Sequence, residues 1–180
     1  MNSRVLIGAI AFTAASLAHA QSFTLTSPDI ADNRSLETRQ VYQGFGCEGG
    51  NVSPALLWSH APAGTKSFAI TVYDPDAPTG SGWWHWTVFN LPATVNALPA
   101  AASASTLPTG AVQGRSDYGT AQFGGACPPV GDKPHRYQFT VWALKVDKLP
   151  LDNQASGALV GYMLNANVLE KATLTPVYGR

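Results

Sequence analysis

Two short stretches of this sequence gather side chains that could do chemistry. The first is Asp74-Pro75-Asp76-Ala77-Pro78, followed by Gly82-Trp83-Trp84-His85-Trp86. The second runs from Gly124 through Gly125 and Cys127-Pro128-Pro129 to Gly131, followed by Pro134-His135-Arg136-Tyr137. Together they supply two carboxylates and two imidazoles, groups that bind a charged ligand, move a proton or hold a metal. A carboxylate beside an imidazole favours the charged ring, and a charged ring attracts phosphate. The glycines let a ligand approach the backbone, and free N–H groups there can form an anion-binding concavity. Pro128 and Pro129 donate no N–H and are expected to serve as walls. His135 and Tyr137 alternate along a strand and share a face, which leaves Arg136 exposed or paired outside the site. Plainer roles compete: an Asp in a Pro-rich loop usually bonds its own backbone, and a His or Trp among aromatics usually packs. His60 precedes Pro62 in a turn and is expected at the surface.

These clusters need rigid elements to position them. Lys66–Tyr73 is apolar and β-forming, as in a buried strand, and places Asp74 at its end. Trp83–Leu91 and Arg136–Lys145 read as two more strands, the latter with clear alternation. Ser22–Thr26 reads as an opening strand and Ala172–Tyr178 as a closing one. Residues 97–110 read as a small-residue surface loop. One helix is expected near 156–169, capped by Ser156, with Leu159, Tyr162, Met163 and Ala166 on a shared face. Gly157 and Gly161 weaken it, so it must rely on packing. Many strands, 17 Gly and 13 Pro predict a mainly β, sandwich-like fold. Pro75 and Pro78 stiffen the Asp loop; the sequence leaves its X–Pro isomers open.

The chain has 180 residues, with 11 basic and 11 acidic side chains. Zero net charge removes the simplest case for nucleic-acid binding. Residues 1–20 place Arg4 before an apolar run that ends at Ala18-His19-Ala20, the pattern of a secretory signal cleaved after Ala20. The domain is then 21–180, with no expected membrane segment after cleavage. Export favours joining the two cysteines, Cys47 and Cys127, and closing a loop of 80 residues would contribute roughly 4–5 kcal/mol as an upper figure. No CxxC or CxxH spacing supports zinc.

The sequence resembles the phosphatidylethanolamine-binding protein family, in its bacterial Raf kinase inhibitor-like branch, and within it the exported periplasmic members. The resemblance rests on Asp74-Pro75-Asp76-Ala77-Pro78, His85 with Asn90 five positions on, and Pro128-Pro129-x-Gly131-x-x-x-His135-Arg136-Tyr137. Gly50-Asn51-Val52-Ser53-Pro54-Ala55-Leu56-Leu57-Trp58 resembles the family's entry loop, and the match covers about residues 22–178. It implies a two-sheet β-sandwich with a few short helices and a small anion pocket between the motifs. Carried over by position, the pocket would use Asp74, His85, the wall from Gly125 to Pro128 and Pro129, His135 and Tyr137. Asp76 and Pro78 would support the loop. The cysteine pair departs from the cytosolic branch.

The expected function is a non-enzymatic, periplasmic binding or regulatory protein for a small phosphorylated or zwitterionic ligand, without a cofactor. A periplasmic or extracellular protein partner and a homodimer are compatible with it. One alternative is a hydrolase using Asp74, His85 and His135 as acid and base or as metal ligands. Another is an interaction protein that works through its outer surface. No nucleophile elbow, HExxH or phosphate loop supports catalysis.

Overall fold

The computed structural model describes residues 21–180; the expected signal segment lies outside the described residues. In chain order the strands are β1 (Thr24–Thr26), β2 (Gln43–Gly44), β3 (Cys47–Glu48), β4 (Leu56–Ser59), β5 (Ser67–Asp74), β6 (Trp83–Pro92), β7 (Ala97–Leu98), β8 (Val112–Gln113), β9 (His135–Arg136) and β10 (Gln138–Leu144). Helix α1 (Gly157–Asn167), β11 (Val168–Leu174) and β12 (Val177–Tyr178) follow. The fold is mainly β, as expected. A five-stranded antiparallel sheet in the order β11-β10-β5-β6-β8 packs against a three-stranded sheet, β1-β4-β7.

Strand β5 explains the layering. Phe68, Ile70 and Val72 point to the core shared with Leu25, Leu56, Trp58 and Leu98 of the smaller sheet. Ala69 points to the opposite face, where Val160 and Leu164 of α1 cover it together with Phe89, Trp142 and Leu144. Both faces of β5 are covered, so its sequence is a continuous apolar run and not an alternation. The strand ends where Asp74 pairs with Trp83 across the hairpin.

Several boundaries differ from the sequence reading. Tyr137 interrupts the expected 136–145 strand. His135–Arg136 before it pairs with β12, whereas Gln138–Leu144 after it joins the large sheet. The closing strand starts earlier, at Val168, and breaks at Thr175-Pro176 because proline cannot extend the ladder. Residues 97–110 are not loop throughout: Ala97–Leu98 pairs with β4 and Leu98 is buried. His60 is exposed. No described peptide bond is cis, including those before Pro75 and Pro78.

The helix needs a larger correction. Ser156 caps it as expected, accepting from the Leu159 N–H at 3.3 Å. Its buried face, however, is Gly157, Val160, Gly161 and Leu164, while Leu159 and Tyr162 are 44% and 71% exposed. The two glycines are the contact surface. A Cβ on Gly157 would overlap the Trp84 ring, and one on Gly161 would meet its Cη2 at 3.0 Å. Glycine at these positions lets the indole lie against the helix backbone.

Gly157→Ala separates propensity from packing. Propensity alone would stabilise the helix by up to about 1 kcal/mol, whereas overpacking costs roughly 1–3 kcal/mol. Net destabilisation in urea unfolding is expected; a gain in stability would show that Trp84 can move aside freely.

Candidate functional site

The end of β5, the start of β6 and the segment before β10 meet around a cavity of about 200 Å³. Asp74, Pro78, His85, Pro128, Pro129, His135 and Tyr137 all line it. Gly125 does not; it stands behind His85. Asp74 and His135 are buried and joined, His135 Nδ1 to Asp74 Oδ2, at 2.7 Å. Asp74 Oδ1 accepts the Asp76 N–H at 2.8 Å, an Asx turn that stiffens the loop. The far nitrogen of His135, Nε2, stands 3.3 Å from the Asp132 carboxylate, which is half exposed. Both nitrogens can donate to these carboxylates only when the ring is doubly protonated.

Asp76 faces away from the cavity. It accepts from the Arg136 backbone N–H at 2.9 Å and from its guanidinium Nε and Nη2 at 2.9 and 2.7 Å. Those hydrogen bonds hold its carboxyl at about 2, below the usual 3.8, against a smaller opposing effect of burial. Arg136 is therefore paired outside the cavity, as its alternation from His135 implies.

His85 corrects the simplest electrostatic expectation. The ring is 3% exposed, and burial pushes it below the usual 6.5. The Gly124 carbonyl and the Asp74 charge pull the other way but do not prevail. His85 is therefore not the cation expected from a nearby carboxylate. Its Nδ1 lies 2.8 Å from the Gly124 carbonyl and 3.2 Å from that of Gly125. Carbonyls only accept, so Nδ1 carries the proton and Nε2 presents a lone pair. That Nε2 is buried without a partner.

The glycine-rich segment also departs from expectation. Its N–H groups do not form an anion concavity. Gly124 donates to the His85 carbonyl, Gly125 to Asn51 Oδ1 and Ala126 to the Gln40 carbonyl. The glycines instead permit close packing: a Cβ on Gly124 would overlap the Tyr118 ring, and one on Gly125 would collide with the backbone of residues 40–42. This wedge aims two carbonyls at His85. Asn51, in the segment resembling an entry loop, holds it from behind.

Three aromatic lining residues escaped the sequence reading as site groups. Phe45 projects from the β2–β3 hairpin and is 69% exposed. Tyr118 donates to the Gly125 carbonyl at 2.9 Å and stacks on Tyr42 at 3.9 Å. Trp83 meets Tyr118 edge-on at 5.4 Å. Gly44-Phe45-Gly46 and Tyr118-Gly119 are turn signals, and turns at strand ends were the available clue. The indole N–H of Trp83 and the hydroxyl of Tyr137 are buried without partners, like His85 Nε2. Burial pushes the Tyr137 phenol far up, so it keeps its proton. Asn90, five residues after His85, lies elsewhere and exchanges hydrogen bonds with the Leu149 backbone.

Cys47 and Cys127 form a disulfide. It ties the Phe45 hairpin to the wall that continues into Pro128. Arg180 reinforces this junction, donating to the carbonyls of Pro128, Gly46 and Phe45.

The comparisons agree with this architecture. The family model described as phosphatidylethanolamine-binding protein matches residues 26–179. The UPF0098 protein YbcL of Escherichia coli (strain K12) is 65% identical over 164 residues, covering 89% of this chain and 90% of its own. Its crystal structure, described as a new member of the mammalian PEBP family, superposes with a TM-score of 0.87 over 88% of this chain and 98% of that one. A Mycobacterium tuberculosis (strain H37Rv) protein named as a lipoprotein, LppC, is 35% identical, over 71% of this chain and 58% of its own length.

The Asp76–Arg136 pair predicts an acid signature. A carboxyl lowered from 3.8 to about 2 contributes stability that is fully present above about pH 4 and lost as pH falls through about 2. Asp76→Asn is expected to be less stable than the wild type at pH 6, with the gap closing toward pH 2 in urea unfolding. A gap independent of pH would remove the ion pair as its cause.

Proposed function

This chain belongs to the phosphatidylethanolamine-binding protein family, and from that premise we propose that it is an exported, non-enzymatic binding module. Its cavity takes the head of a small phosphorylated or zwitterionic ligand. One observation carries the reading: His85 Nε2, Trp83 Nε1 and Tyr137 Oη are buried without partners and belong to residues lining one cavity. Unmade hydrogen bonds at buried polar atoms cost about 1–3 kcal/mol each, so a ligand that completes them gains that much. Trp83 and Tyr137 offer donors to acidic oxygens; His85 offers a lone pair to a proton. A phosphomonoester monoanion carries both an acceptor and a proton.

Export is supported by the leader pattern, the disulfide and the lipoprotein name of LppC. The binding reading is favoured over hydrolysis by the lack of a free aliphatic hydroxyl or thiol at the cavity among the described residues. Thr79, the lining residue with an aliphatic hydroxyl, donates to the Gly82 carbonyl. Ser53 is engaged elsewhere, accepting from the Ala102 N–H.

Proton balance sets the pH dependence. Either the ligand brings a P–OH or His85 takes up a proton to donate to the ligand. A phosphoryl group has its second pKa near 6, and His85 titrates below its ordinary range. Both routes make binding tighten as pH falls. An NMR titration with phosphate, phosphoethanolamine and phosphoserine at pH 5.5 and 7.5 is expected to shift the resonances of Trp83, His85, His135 and Tyr137. Affinity should be near millimolar, about −4 kcal/mol, and stronger at the lower pH. No shift at tens of millimolar ligand would reject the pocket and turn attention to the outer surface. Phosphate-ester turnover abolished by both His85→Ala and a chelator would replace the binding reading with a metal hydrolase.

A further inference from the structure

We propose that the outer face of the large sheet carries a second binding site, for a short glycan chain that includes an acidic sugar. The site lies beside α1, on the same side of the sheet, and is independent of the cavity at the end of β5.

Helix α1 covers one part of that face, around Ala69, Phe89 and Leu144. Next to it lies a groove of about 420 Å³. Strand register sets its lining in cross-strand rows. Trp84, Tyr73 and Gln138 pair across β6, β5 and β10. Thr71, Thr140 and Thr173 pair across β5, β10 and β11. Trp142 of β10 stands opposite Lys171 of β11. Alternate residues of a strand share a face at a spacing of roughly 6–7 Å. The hydroxyl row is therefore flanked by aromatic rings on both sides, Tyr73 and Trp84 on one and Trp142 on the other.

A sugar ring has the complementary surface. Its C–H bonds are slightly positive and pack on the negative face of an aromatic ring. Its hydroxyls need donors and acceptors, which the threonines hold ready. Thr71 accepts from Trp142 Nε1 at 2.9 Å and keeps its own proton. The hydroxyls of Thr140 and Thr173 lie 2.9 Å apart, and that bond uses one of their two protons. Thr71, Thr140 and Trp142 are buried, so they form the floor of a recess and not an ordinary solvated sheet face. A protein partner would call for an apolar centre; the centre here is the threonine row.

The aromatic walls are rigid before any ligand arrives, which lowers the cost of binding. Trp84 is seated on the glycines of α1: a Cβ on Gly157 would overlap its ring, and one on Gly161 would meet Cη2 at 3.0 Å. Tyr73 approaches it at 4.6 Å between ring centroids and donates to the Ser81 carbonyl at 2.7 Å. Charge then selects the sugar. No carboxylate lines the groove. Lys171 is exposed, makes no ion pair among the described residues, and holds its Nζ 4.8 Å from the centre of the Trp142 ring. The ring steadies the ammonium group, whose N–H donors remain for a ligand carboxylate.

The test titrates the oxidised protein with a hyaluronan tetrasaccharide, which alternates glucuronate and N-acetylglucosamine, with neutral chitotetraose and with tetraglutamate, at pH 7 and matched ionic strength. The readouts are the indole N–H resonances of Trp84 and Trp142, with Trp83 and His85 reporting on the cavity. The hyaluronan tetrasaccharide is expected to shift Trp84 and Trp142 and leave Trp83 and His85 in place. It should bind about fivefold more tightly than chitotetraose, the factor that one exposed ion pair supplies. Lys171→Gln should remove that factor and keep the remaining affinity, whereas Thr140→Val should weaken both glycans. The wild-type and Lys171→Gln comparisons decide the matter even if Thr140→Val fails to fold. Equal affinity for the two glycans overturns the assignment to an acidic sugar. Tetraglutamate binding as tightly as the hyaluronan tetrasaccharide would show attraction of charge alone and overturn the glycan site. Shifts at Trp83 and His85 in place of Trp84 and Trp142 would put the sugar in the cavity and overturn it too, as would no binding of either glycan. None of these outcomes bears on phosphate binding in the cavity, which is measured separately.

Discussion

A carboxylate at the end of a strand covered on both faces must be satisfied by protein, and Asp74 is that carboxylate. Taking an ion out of water costs several kcal/mol even after relaxation. A hydrogen bond to a charged group returns about 1.5–3 kcal/mol. Asp74 receives two, from the Asp76 N–H and from His135. The first fixes the turn after β5, and the second draws β9 to the end of the large sheet. Tyr137 then lies between two strands that belong to different sheets, where it lines the cavity and its hydroxyl is buried without a partner. The architecture at this end of the sandwich is organised by the demand of one buried charge.

His85 is governed by the opposite solution. Its neighbours on one side are carbonyls supplied by the wedged glycines, which fix a proton on Nδ1, while burial favours the neutral ring. Two imidazoles in one cavity therefore have different jobs. His135 holds a carboxylate in place; His85 presents a lone pair. A pocket of two interchangeable cations would prefer a bare phosphate dianion. On the proposed reading, one carboxylate, one neutral acceptor and two unpartnered donors call for a ligand that carries a proton.

Much of this fold is legible in the sequence. The apolar run of β5 and the alternation of β10 are local signals, and each places a motif at a strand end. The family resemblance rests on those motifs and agrees with the fold. The helix face was not legible, because Leu159 and Tyr162 are more apolar than Gly157 and Gly161. Only the Trp84 ring, 73 residues earlier than Gly157, makes a glycine stripe the buried side. The bonded state of the Gly124–Ala126 N–H groups was equally hidden, since their acceptors come from residues 40, 51 and 85. Phe45 and Tyr118 reach the cavity through turns whose direction no local pattern encodes. Long-range packing decided each of these points.

The bond between Cys47 and Cys127 joins two segments that the backbone leaves 80 residues apart, and Cys127 is itself part of the cavity wall. The rim that carries Phe45 is thus covalently finished only where thiols are oxidised. Chains that remain in a reducing compartment can form the same sheets, yet their hairpin stays tied to the wall by hydrogen bonds alone. The disulfide makes the finished rim conditional on geography: it works as a customs stamp that only an oxidising compartment can strike.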